Sequence, residues 1–134
     1  MAQFTTEDRW ELLALHRTIM EAKFHRDPWD FDVGPSPILA RIADRVVGAL
    51  VEAEVASGKA DAEEAWTRWR DATQHPRCVD AVRGMIERSS IWGGLTPSEK
   101  RDFVVDAFRP LVAPEAMIEG LVNGEGGADD GPSN

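Results

Sequence analysis

Glu21 and His25 stand four residues apart, and Asp27, Asp30 and Asp32 follow within seven more positions. A carboxylate and an imidazole at that spacing share one face of a helix, provided the helix reaches both. Two kinds of chemistry suit the set. Glu21, His25 and Asp27 could hold a divalent cation, with Asp30 and Asp32 completing the shell. Alternatively, His25 could act as a general base oriented by a carboxylate such as Asp30. The structural alternative is a helix end: His25 and Arg26 suit the negative pole of the helix dipole, and Asp27 and Asp30 suit turns. No second histidine lies at metal-ligand spacing, so the sequence favours the structural alternative. Neither a metal nor another cofactor is expected.

Cys78 is a second catalytic candidate. His75 lies three residues before it, and with Arg77 and a helix N-terminus it would favour a thiolate. Cys78 also falls on an apolar helical stripe, where a free cysteine acts as a small apolar residue. His16 lies on the apolar line of the first helix and reads as a partly buried, hydrogen-bonded side chain. The segment Trp66-Thr67-Arg68-Trp69-Arg70, continuing to Arg77, Arg83 and Arg88, is the one region that combines aromatic and basic residues. Trp66 and Trp69 share one helix face while Arg68 and Arg70 point elsewhere. That pattern suits core tryptophans with solvated arginines, a protein-binding hot spot, or stacking on nucleic-acid bases, in that order. Trp92, beside Gly93-Gly94, is the first choice for an exposed anchor, ahead of Trp29, Trp66 and Trp69.

The elements that must position these residues are helices. Apolar positions recur at three and four along most of the chain, and two-residue alternation is confined to a proline-bounded stretch at 29–33. Helices are expected over 6–24, 37–57, 61–74, from Pro76 to before Gly93, over 97–109 and from Pro114. Thr5-Thr6, Ser36-Pro37 and Thr96-Pro97-Ser98-Glu99 mark three of the starts, the last as a capping box. Gly58 and Pro110 mark stops. The second helix, with Ile38, Leu39, Ile42, Val46, Leu50 and Val51 inward, should be central, and Gly48 should admit a close neighbour. Prolines and glycine break the helix over 25–35, a loop that Trp29, Phe31 and Val33 should pin to the core. The fold class is all-α: a single bundle of five to six helices over 1–123, followed by a disordered acidic, glycine-rich tail over 124–134.

Leu95-Thr96-Pro97-Ser98-Glu99 with Phe103 and Phe108 resembles the first helix of an EF-hand. Arg109-Pro110-Leu111-Val112 stands where the calcium loop would follow, so the likeness stops at the capping chemistry. Trp92-Gly93-Gly94 resembles the Trp-x-Gly turn of small secreted helical hairpins. The chain lacks their long helices and their tyrosine-based signal.

With 134 residues the chain can build one core without staples. One cysteine excludes an internal disulfide and fits a reducing compartment. No secretory signal or membrane-spanning run is present, and a cytoplasmic location is expected. A net charge of −9 disfavours nucleic acid as a partner. Five tryptophans exceed what so small a core needs. The functional expectation is a small non-enzymatic protein that binds another protein, or itself as a homodimer, as a regulator or accessory subunit. A metal-binding or hydrolytic domain using Glu21, His25 and the Asp27–Asp32 acids is the second reading. An acidic inhibitor that mimics nucleic-acid charge is the third.

Overall fold

A computed structural model describes residues 2–124. Within them six α-helices and two 3₁₀ turns follow one another, with no strand. The 125–134 part of the expected tail lies outside the described residues.

Helix α1 (Arg9–Lys23) starts later than Thr5-Thr6 suggests. Asp8 is its cap, accepting the Glu11 N–H at 3.0 Å, while the Glu11 carboxylate accepts the Glu7 N–H at 2.7 Å. An aspartate three residues before a glutamate can satisfy donors on both sides of the helix start, which the threonines are too distant to do. Helix α2 (Pro37–Ala56) is capped by the Ser36 hydroxyl, which accepts the Leu39 N–H at 3.1 Å. It ends before Gly58, whose φ of +97° suits glycine.

Helix α3 (Ala62–Trp69) stops five residues short of Gln74. Beyond it the Arg70 carbonyl accepts the Val112 N–H at 2.7 Å, and the Val112 carbonyl accepts the Ala72 N–H at 3.0 Å. This isolated bridge takes the backbone groups a longer helix would have used. A 3₁₀ turn at Ala72–Gln74 leads into α4 (Pro76–Arg88), and a second at Trp92–Gly94 leads to α5 (Pro97–Phe108). The capping box forms in full: the Glu99 N–H donates to the Thr96 hydroxyl at 3.1 Å, and the Thr96 N–H donates to the Glu99 carboxylate at 2.9 Å. Helix α6 (Glu115–Val122) follows.

Helix α2 packs on α1, α3 and α5, while α5 also packs on α4 and α6. Two apolar centres result. Ile19, Ala43, Val46 and Leu50 form one between α1 and α2, with Trp66 against it. Val79, Val82, Met85, Val104, Phe108 and Leu121 belong to the larger one among α4, α5 and α6. Asp44 ties the two halves, meeting Arg70 at 3.5 Å and Arg109 at 3.1 Å.

Three details of α2 and the preceding loop differ from expectation. Ile38 and Ile42 are exposed, because the buried line runs through Ala40, Ala43, Val47, Leu50 and Glu54. Residues two apart on a helix differ by about 200°, so the isoleucines lie opposite Ala40. Gly48 faces open space, with nothing within 4 Å of where a Cβ would stand, so it admits no close neighbour. The loop is not pinned by its aromatics: Trp29 is 103% exposed and Phe31 56%. Gly34 pins it instead. A Cβ there would come within 2.7 Å of the Met85 side chain and 3.0 Å of the Lys23 carbonyl, so only glycine passes without displacement.

Candidate functional site: a cleft between α1 and α4

Helix α1 is held by α2, and α4 by α5, which leaves the two facing each other across a cleft of about 1280 Å³. One face of α1 supplies His16, Arg17, Met20 and Glu21, with Phe24 just beyond its end; one face of α4 supplies Arg77, Cys78, Ala81, Gly84 and Arg88. The spacing on each is three to four residues, the period of a helix face. Ala81 and Gly84 keep the α4 wall low.

The two helices run in the same direction. At one end His16 meets Trp69, which meets His75 just before α4; at the other, Gly34 lies between the end of α1 and Met85. The first end is closed by four rings in edge-to-face contact. His16 lies 5.5 Å from Trp66 and 5.0 Å from Trp69, the tryptophans are 5.3 Å apart, and Trp69 is 5.2 Å from His75. Each separation is in the favourable range for aromatic pairs. The indole N–H of Trp66 donates to Glu54 at 3.0 Å, and Arg9 approaches the same carboxylate at 3.5 Å. His75 Nε2 is 2.5 Å from the Trp69 carbonyl, so Nε2 carries the proton and donates. Burial, aided by Arg17, lowers the His16 pKa and keeps its imidazole neutral.

The sequence candidates distribute as follows. Helix α1 ends at Lys23, so Glu21 and His25 do not share a helix face, although both line the cleft. His25 Nδ1 accepts the Asp27 N–H at 2.9 Å, and the Asp30 carboxylate accepts the Asp32 N–H at 2.9 Å. These groups are engaged in local turns. Among the described residues no three His, Cys, Asp or Glu side chains converge as a metal shell would require. Cys78 lines the cleft, and burial pushes its thiol up to about 11, so it is protonated at neutral pH.

Trp66 and Trp69 are half-buried in the ring cluster. Arg68 is exposed, and Arg70 is turned away to Asp44, so the four do not form one surface. Trp92 is half-buried, its ring 5.2 Å from Phe103 with the Lys100 ammonium over it. Glycines beside it do not free the ring, because Phe103 on α5 offers it an apolar partner. The fully exposed tryptophan is Trp29, and Trp10 is 67% exposed.

Two arrangements go beyond what sequence reasoning assembled. Arg17, Arg26, Arg77 and Arg88 all line the cleft, and among the described residues none pairs with a carboxylate. Their positions on two helix faces were readable; that those faces meet was not. Lys23 is 2% exposed and donates to the Gly34 carbonyl at 2.8 Å and the Asp106 carbonyl at 3.2 Å. It locks the loop and α5 to the end of α1. Its place in line with Leu12, His16 and Ile19 was the available signal. Neither protein-family models, nor curated proteins, nor solved structures match this chain.

Proposed function

We propose that this protein works by binding another protein, or a second copy of itself, as a regulator or accessory subunit and not as a catalyst. The observation that carries the reading is the exposure of large apolar side chains within one short stretch. Trp29 at 103%, Phe31 at 56%, Ile38 at 62% and Ile42 at 38% lie within fourteen residues of chain. Exposed leucines or isoleucines taken singly mean little, but aromatic and aliphatic side chains clustered on a loop and the following helix suit a binding surface. Tryptophan is also the residue type most enriched among interface hot spots. No helix among the described residues is long and apolar enough to cross a membrane. A hydrolytic or metal-dependent role has less support, since His25 Nδ1 and one Asp30 carboxylate oxygen are engaged by backbone N–H groups in separate local turns and the Cys78 thiol is protonated.

The test compares the wild type with Trp29→Ser/Phe31→Ser. The variant should keep its unfolding free energy within about 0.5 kcal/mol of wild type, as exposed positions do. Sedimentation should show loss of self-association, or a wild-type bait should retain a host protein that the variant bait releases. Identical sedimentation together with identical captured proteins would refute the proposal.

A further inference from the structure

The protein carries a net charge of −9, yet one cleft collects four of its twelve arginines without an ion pair among the described residues. Of the eight arginines elsewhere, Arg9, Arg70, Arg83, Arg101 and Arg109 each reach a carboxylate, whereas Arg41, Arg45 and Arg68 are scattered and unpaired among the described residues. Within the cleft the opposing charges are Glu21 and Asp80, and Asp80 is committed to Arg83 at 2.9 Å. Because α1 and α4 run the same way, the arginines sort into two ends. Arg17 and Arg77 stand by the ring cluster, and Arg26 and Arg88 stand by the aromatic loop. Eleven residues of helix separate Arg77 from Arg88, a span of about 16 Å. The Arg88 guanidinium is already positioned: it lies against Gly84, where a Cβ would come within 2.8 Å of its Nη1, and over the Phe31 ring at 5.2 Å. Its buried Nε, like those of Arg70 and Arg83, has no hydrogen-bond partner among the described residues. An apolar strip runs along the cleft beside Glu21 and Asp80: Trp69 at the ring-cluster end, then Met20 and Phe24, all half-buried against the larger core.

We propose that the α1–α4 cleft binds an amphipathic organic anion, its carboxylate or phosphate held by arginine and its apolar body lying along Met20, Phe24 and Trp69. Guanidinium groups form paired, planar hydrogen bonds to carboxylate and phosphate alike. A cleft that sets apolar side chains beside charged groups of one dominant sign suits a ligand with an apolar body and a head group of the opposite sign. An anion would also give the cleft arginines the ion-pair partner that none of them has among the described residues. The cleft touches the exposed loop through Arg88 and Phe31, but Arg17 and Arg77 stand at its other end, so substitutions there test the ligand site separately from the Trp29 surface.

The probe is 8-anilinonaphthalene-1-sulfonate, titrated into the full chain and followed by fluorescence. Saturable binding is expected, weakened at least fivefold in Arg17→Gln/Arg77→Gln. It should be unchanged in Arg68→Gln, an exposed arginine outside the cleft, and in Trp29→Ser. The single variants Arg17→Gln and Arg77→Gln each give a smaller loss, and circular dichroism confirms that all remain folded. Dodecanoate and dodecyl phosphate, below their micelle concentrations, compete in separate arms, and the stronger competitor identifies the head group. Dodecanol and inorganic phosphate should each compete at least tenfold more weakly than the better amphiphile. Unsaturable binding, affinity indifferent to the arginine substitutions, or equal competition by dodecanol or by inorganic phosphate would overturn the proposal.

Discussion

Lys23 holds its proton less firmly folded than unfolded. Burial is the main cause, opposed in part by Asp106 and Asp44, and the pKa falls from 10.5 to about 8. Below pH 8 both states are protonated, and the folded state carries the full cost of a buried ammonium. Between about 8 and 10.5 the folded protein gives up the proton while the unfolded chain retains it, so stability rises with pH across that window. A displacement of that size corresponds to about 3 kcal/mol. Chemical denaturation at intervals from pH 7.5 to 9, below the range in which the raised Cys78 thiol opposes the effect, should show the rise in the wild type and its absence in Lys23→Met. A wild-type profile parallel to that of Lys23→Met would show that the amine is not desolvated as described. Cys78 illustrates the same physics with the opposite effect on reactivity: burial stabilises the neutral thiol, which is the poor nucleophile.

At the scale of elements, Gly34 fixes the loop that separates α1 from α2. Gly34→Ala would force a methyl against the Lys23 carbonyl and the Met85 side chain. Only the methionine can yield readily. The substitution should cost about 1–3 kcal/mol by overpacking, measured as a lower denaturant midpoint with an unchanged slope; a neutral result would mean that the loop moves freely off α4. The helices themselves were legible in the sequence because caps and periodicity agree: Ser36-Pro37, Thr96-Pro97 and Gly58 mark boundaries that the backbone obeys. The end of α3 was not legible, since it depends on Val112, forty residues away from Ala72. The cleft was hidden for the same reason. Its arginines lie on two helix faces whose approach is set by α2, α5 and the loop threaded at Gly34, and no local pattern encodes that approach. Trp29 and Phe31 misled because alternating apolar residues between prolines look the same whether the loop turns toward the core or away from it.

The whole molecule is two apolar centres joined by a few specific ties, among them the Lys23 ammonium, the Asp44 carboxylate and the packing of α2 on α5. The ring cluster at one end of the cleft is another, since His16, Trp66, Trp69 and His75 come from α1, from α3 and from the start of α4. Two indoles 5.3 Å apart at a 70° interplanar angle have strongly coupled electronic transitions. The seam should therefore show its own optical signature, a paired positive and negative band in circular dichroism, which Trp66→Phe or Trp69→Phe should abolish while the helical bands remain. Heating should extinguish the couplet together with the helical signal if the two centres melt as one unit, and before it if α3 detaches first. Trp29, open to solvent, contributes nothing to that couplet, so the chain carries a chiral reporter of its interior beside a fluorescent reporter of its surface.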